Sequence, residues 1–325
     1  MNIISVIAPL ITVAFIGFIC TKSKWLSKEQ LNTVSKFTFS ISIPAFLFYQ
    51  MAKADFSDQV SPQLFAAFYL PILVCYGIIW LINYYFYRDK SNDKTNNKTN
   101  NYHSKNRAAS AVFALSASYS NTVIVGLPVL LAAIGEQVIG IVFLIVAFHS
   151  AILFALTSAF TTKIDKNEQR KHIYWLNFIK QTIHNPLIIS ILSGLTINLL
   201  GITLPSFFQD SLALMGKPAI TLALFILGGS LAFYHVRQEL TFISIACIGK
   251  LILLPCLVLF ASQYLFNLEP LIVTVLVVLS ACPTASTAYL IAATHQQHQH
   301  VVAGTVVLTT LISMITIPLW LNFVL

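Results

Sequence analysis

Ten apolar stretches run through this chain, at approximately 2–21, 31–51, 63–87, 108–134, 138–161, 185–202, 207–233, 241–266, 271–293 and 301–324. Each is close to the roughly 20 residues that a helix needs to cross a bilayer. Sustained period-2 alternation is absent, which excludes a β-barrel. Composition agrees: 57% of the residues are hydrophobic and only 9% charged, against about 25% charged in a soluble domain. A water-soluble enzyme, a disordered chain and a nucleic-acid module are thereby excluded. The chain reads as an all-α polytopic membrane protein of ten transmembrane helices. Lys22 and Lys24 follow the first apolar run rather than precede it, so that run is a membrane helix and not a cleavable signal peptide. The five cysteines all lie in apolar runs, without a C-x-x-C pair, and read as core residues rather than a disulfide or metal framework.

Charge position gives the orientation. Of the 19 Lys and Arg residues, 15 fall in alternate gaps. These are Lys22, Lys24 and Lys28; Arg88, Lys90, Lys94, Lys98, Lys105 and Arg107; Lys163, Lys166, Arg170, Lys171 and Lys180; and Arg237. Cytoplasmic loops carry such an excess. The expected topology is a multi-pass protein of the cell (inner) membrane, with both termini non-cytoplasmic and the middle loop cytoplasmic. The net charge of +8 is then a topology signal and a match for anionic headgroups. Residues 89–106 are polar and Asn-rich, as expected of a flexible loop. Residues 162–184 contain Ile173, Trp175, Leu176, Phe178 and Ile179 beside basic residues, which predicts a short interfacial helix.

Ten helices divide into a first five-helix repeat over 1–161, a cytoplasmic connecting loop over 162–184 and a second repeat over 185–325. Helix 1 then starts outside and helix 6 inside, the signature of an inverted repeat. Helix 2 carries Ile43-Pro44-Ala45 and helix 7 Lys217-Pro218-Ala219; helix 4 carries Gly126-Leu127-Pro128 and helix 9 Cys282-Pro283-Thr284. Proline removes a backbone donor and blocks the i−4 bond. Such breaks survive at membrane depth only inside protein or beside a water-filled cavity. A single broken helix reads as a proline kink whose hydroxyls bond back to their own carbonyls. Two at matching places, with Ser116, Ser118, Ser120, Asn121 and Thr122 before one and Ser280, Thr284, Ser286 and Thr287 around the other, point to a transport site near the midplane. The half-helix N-termini there suit a carboxylate.

At these residues the sequence resembles the auxin efflux carrier (PIN-like) family, in the manner of its bacterial members. The resemblance rests on Ser120-Asn121-Thr122 with Gly126-Leu127-Pro128, on Ala281-x-Pro283-x-Ala285 with Ala288-Tyr289-x-x-Ala292, on Pro44-Ala45, on Asn185-Pro186, and on Pro218 with Leu227-Gly228-Gly229-Ser230-Leu231. It covers the whole chain. It implies that broken helices 4 and 9 cross, that a separate scaffold domain exists, and that access alternates by an elevator-like movement. It also implies organic-anion substrates: carboxylates such as malate or malonate, or auxin-like acids. The site residues it implies, with those read above, are Asn121, Ser120, Thr122, Gly126, Pro128, Pro283, Thr284, Ser286 and Pro44. The short middle loop departs from that of many plant members and argues against auxin itself.

Lys250 lies thirteen positions after Arg237, about 20 Å along a helix at 1.5 Å per residue. It is therefore a deep membrane cation and joins the candidate site as a substrate counter-charge, with snorkelling as the plain account. Lys217 is a second candidate counter-charge. His149 reads as a hydrogen-bonded packing histidine, with proton relay the lesser reading, and His295, His298 and His300 as a solvated turn, with metal ligation the lesser reading. No membrane Asp pair and no H-E-x-x-H is present, which excludes an intramembrane enzyme of those types. The expectation is a secondary transporter of small organic anions in a lipid bilayer, without cofactor or metal. A proton or sodium coupling ion and a homodimer are compatible with it. The alternative is a bile-acid/sodium-symporter-like carrier, which shares the five-plus-five plan and crossed helices.

Overall fold

The computed structural model describes residues 3–54, 61–91, 99–161, 186–233 and 239–325. Among them the chain is helical, without strands; one isolated antiparallel bridge joins Ser120 to Thr284. Five segments are long and apolar enough to cross a membrane: Pro62–Tyr85, Glu136–Thr161, Ser206–Leu231, Leu240–Leu265 and Gln299–Val324. Four shorter apolar helices accompany them. This is a polytopic membrane protein.

The described chain forms two compact units, each assembled from non-contiguous segments. The first comprises 1–60, 123–148 and 166–233. It holds α1 (Ile3–Lys22), α2 (Lys28–Phe37), α3 (Ile43–Lys53), α6 (Leu127–Ala133), the start of α7 (Ile139–Thr161), α8 (Pro186–Leu199), α9 (Ser206–Gly216) and α10 (Ala219–Leu231). Helix α2 begins in a capping box: the Gln30 amide N–H donates to the Ser27 hydroxyl, and the Ser27 N–H donates to the Gln30 side chain. Helices α1 and α10 pack at glycines. A Cβ on Gly17 would sit 2.1 Å from the Phe225 carbonyl oxygen, and one on Gly228 would sit 1.7 Å from that of Ala14. In lipid, helices associate by close van der Waals contact, which small residues permit. The Leu227–Leu231 motif is therefore a packing motif. Asn198 on α8 donates to the carbonyls of Ala52 (3.1 Å) and Ala54 (2.8 Å), satisfying acceptors left at the end of α3.

The second unit comprises 61–122, 149–165 and 234–325. It holds α4 (Pro62–Ser91), α5 (Thr99–Ser118), the rest of α7, α11 (Leu240–Ile248), α12 (Leu254–Phe260), α13 (Pro270–Ala281), α14 (Thr287–His295) and α15 (Gln299–Val324). Helix α15 shows how sequence becomes membrane packing. Leu311, Ile315, Leu319 and Phe323 recur every fourth residue and are exposed, while Thr305, Thr309, Ser313, Ile317 and Leu321 on another stripe are buried. Its small hydroxyl side chains face protein together with Val302, Val306, Ile317 and Leu321, while the outward stripe is wholly apolar, as lipid requires.

One expectation about the loops changes. Helix α4 continues to Ser91 and α5 begins at Thr99, so most of 89–106 is helical rather than loop. Once a helix is nucleated in the apolar stretch, extending it adds one bond per residue fixed. Residues 92–98, and the expected interfacial helix with Ile173, Trp175, Leu176, Phe178 and Ile179, lie outside the described residues.

Pro128, which the sequence implied as a breaker, does not interrupt its helix, and neither do Pro44 and Pro255. Three π-helical turns, Thr38–Ser42, Thr122–Gly126 and Gly249–Leu253, each begin six residues before a proline: Pro44, Pro128 and Pro255. The proline ring collides with the carbonyl four residues back and offers it no N–H. Widening the preceding turn by one residue absorbs that clash without ending the helix. For Pro255 the carbonyl four residues back is that of Leu251, which accepts the Trp320 indole N–H at 2.9 Å. A neighbouring helix thereby fills the vacancy, as the hydrocarbon interior demands.

Candidate functional site

The break in the fourth predicted helix lies at Tyr119–Asn121, between α5 and the π turn, rather than at Gly126-Leu127-Pro128. Serine, asparagine and threonine compete with the helix through their own hydrogen bonds, and here three stand in a row. In the ninth predicted helix the break is at Cys282–Ser286, between α13 and α14, and contains Pro283 as expected. Within the second unit the two extended segments pair with each other. The Asn121 N–H donates to the Pro283 carbonyl at 2.8 Å, and the Ala285 N–H donates to the Tyr119 carbonyl at 3.1 Å. The antiparallel bridge Ser120–Thr284 lies between these two bonds.

Side chains complete the bonding of this crossing. The Ser120 N–H donates to His149 Nε2 at 3.0 Å, and the Thr284 N–H donates to the Thr309 hydroxyl at 3.0 Å. The Thr284 hydroxyl donates to the Ser116 carbonyl at 2.6 Å, in the last turn of α5. Lys250, in the π turn between α11 and α12, donates to the Ser120 hydroxyl at 2.9 Å and to the Ser280 carbonyl in the last turn of α13. Its side chain is fully buried, so it does not snorkel. The hydroxyls of Ser116 and Ser280 bond back to the carbonyls of Phe113 and Val277, as the kinked-helix account has it. Those of Ser120 and Thr284 do not; they knit the crossing.

Donors are left over here: the Nδ1–H of His149, whose Nε2 accepts the Ser120 N–H, and the Asn121 amide. Asn121 is 4% exposed and its side-chain amide nitrogen has no partner. A buried donor without an acceptor costs about 1–3 kcal/mol, which marks a place where a guest acceptor would be favourable. Ser286 caps α14 without a side-chain cap bond, so the positive end of that helix is also open to an anion.

The structure thus brings Ser120, Asn121, Pro283, Thr284 and Lys250 together, with Thr122 and Ser286 on the flanks of the two breaks. Gly126, Pro128 and Pro44 belong to the first unit, where Pro128 is buried in α6 and Pro44 lies in α3. Lys217 is also in the first unit, exposed, where it lines a cleft of about 550 Å³ with Phe46, Tyr49, Gln50 and Asp210. His149 is the buried, hydrogen-bonded packing histidine expected, whereas Thr309 is a residue that sequence reasoning missed, as is the particular N–H that His149 accepts. A histidine and a threonine in apolar helices give no local sign that they accept an N–H from a distant break.

Within the histidine run after helix 9, His300 is exposed as expected and His298 differs from expectation. The His298 side chain is only 5% exposed, packed against the Phe113 and Phe242 rings, with Nδ1 3.9 Å from a Glu239 carboxylate oxygen. Burial pushes its pKa down to about 4. It is a neutral packing residue and not part of a solvated turn. Among the described residues no group of three or more His, Cys, Asp or Glu is placed to hold a metal.

The profile of the family described as "Membrane transport protein" matches residues 2–99 and 102–321. A protein of Rhizobium meliloti (strain 1021) named "Putative malonate transporter" is 21% identical over 316 residues, covering 97% of this chain and 94% of that protein.

Proposed function

Because the chain belongs to the membrane transport protein family, whose members are auxin-efflux-carrier-like transporters rather than enzymes, we propose that it is a secondary carrier of small organic anions. The substrates are carboxylates such as malonate or malate, moved by alternating access of the elevator type. The observation that carries this reading is the buried, unpartnered Asn121 amide donor beside the crossing of two extended segments. A carboxylate is a strong acceptor and pairs well with such a donor. The open start of α14 and the positive charge of Lys250 behind Ser120 favour an anion over a cation or a neutral solute. The name of the Rhizobium relative supports malonate as the first compound to try.

The ten-span plan of two inverted repeats, over 1–161 and 185–325, is part of the proposal. It is supported by the matched roles at the crossing. His149 on the fifth predicted helix accepts the N–H of Ser120, and Thr309 on the tenth accepts that of Thr284. Non-cytoplasmic termini and a cytoplasmic middle loop follow from the basic gaps.

The test is uptake of labelled malonate, malate and an aromatic carboxylate into proteoliposomes. A hydrogen bond to a charged group contributes about 1.5–3 kcal/mol, so Asn121→Ala is expected to weaken half-saturation by roughly 10- to 100-fold. Asn121→Asp, which places a negative charge at the same point, should abolish uptake. Undiminished transport by both variants would remove Asn121 from the site.

A further inference from the structure

The acceptor end of the crossing carries a second chemistry. In discontinuous membrane helices, helix N-termini face anions while freed carbonyls and C-terminal helix ends attract cations. Here α5 ends at Ser118 and α13 at Ala281, each with carbonyls that the next turn would have used. The cation found there is not an ion. We propose that the Lys250 ammonium is the resident cation of the crossing, occupying the oxygen-lined place that a bound monovalent metal ion would otherwise take. The proposal rests on the reading of the crossing as the transport site and names how its charge is supplied.

Three observations support it. The Lys250 side chain is fully buried and bonds to two oxygens, the Ser120 hydroxyl on one extended segment and the Ser280 carbonyl at the end of α13. One ammonium thereby bridges both broken helices. No carboxylate among the described residues pairs with it, so its charge is balanced by carbonyl and hydroxyl dipoles, which is how an alkali ion is held. The side chain is anchored in a π turn, Gly249–Leu253, set by Pro255. Its charge therefore belongs to the protein and cannot leave with the substrate. A carrier built this way has no need of sodium at this point.

The test uses the purified full-length chain, without substrate, in sodium, potassium, lithium or choline chloride at equal ionic strength. The melting temperature of the wild-type chain is expected to be the same in all four salts. K250A leaves the oxygens unbridged, so it should melt several degrees lower in choline and regain much of that loss in at least one of the alkali salts, saturably. K250R, which keeps the charge, should remain indifferent to the salt. Saturable stabilisation of the wild-type chain by sodium would overturn the proposal. So would a K250A chain that melts like wild type in choline, or one that no alkali ion restores. If K250A does not fold, the sodium titrations of the wild-type and K250R chains still decide. These arms contain no organic anion. Alkali rescue of K250A together with absence of carboxylate uptake by the wild-type chain would leave this inference standing and remove the substrate reading.

Discussion

Replacing Gly228 by alanine tests the helix packing of the first unit. The added methyl carbon would lie 1.7 Å from the Ala14 carbonyl oxygen, 2.5 Å from its carbon and 2.9 Å from its Cα. All three are backbone atoms of a helix and cannot rotate aside. Contact at even 3.0 Å requires α1 and α10 to separate by about 1.3 Å (3.0 − 1.7) at that point. Gly17 faces the Phe225 carbonyl at 2.1 Å, so the same movement opens a second close contact. Overpacking of this kind costs about 1–3 kcal/mol and occasionally more, and here the upper end applies because every clashing atom is helix backbone. At about 1.5 °C per kcal/mol, from roughly 2.1 cal/mol/K of unfolding entropy per residue over 325 residues, Gly228→Ala should melt roughly 4–5 °C below wild type in a detergent thermal scan. Gly77 on α4 is the control. Nothing lies within 4 Å of its added Cβ, so Gly77→Ala should be neutral or, by helix propensity of about 1 kcal/mol, slightly stabilising. A Gly228→Ala chain that melts with wild type, or a Gly77→Ala chain that falls as far, would refute the close-packing argument.

Two more outcomes can be checked directly. Thr309→Val removes the acceptor of the buried Thr284 N–H and should cost about 1–3 kcal/mol. Thr310→Val removes only a bond back to Val306 and should cost much less, so equal melting points for the pair would count against the crossing as described. For His298, the folded pKa of about 4 lies below the ordinary 6.5. The unfolded chain therefore binds the proton first, and stability held above pH 6.5 is lost as pH falls from about 6.5 to about 4. A shift of that size is on the order of 3 kcal/mol. His298→Phe should flatten the loss, and an unchanged pH profile in that variant would show that another group titrates.

Much of this architecture was legible in one dimension. Apolar stretches, a deep Lys250 and a polar run at Ser120–Thr122 are local facts, and the structure keeps each of them. The position of the first break was not legible, because proline was taken as the breaker. Pro128 is absorbed by a π turn, whereas the chain opens at Tyr119–Asn121, where the partners that satisfy an open backbone lie elsewhere in the sequence. The Thr284 hydroxyl reaches Ser116 across 168 positions and the Lys250 ammonium reaches Ser120 across 130. No window of 19 residues carries that information. The recurrent six-residue offset between the start of a π turn and its proline was present in the sequence, but it acquires meaning only once the widened turns are seen.

Non-helical peptide at membrane depth would ordinarily be where water enters first and where amide protons exchange fastest. At the crossing the opposite follows. The amides of Ser120, Asn121, Thr284 and Ala285 are held by His149, Pro283, Thr309 and Tyr119, so none can be released by fraying of its own helix. Their protons are expected to exchange only when the two extended segments separate, which makes these four amides reporters of the crossing's own stability.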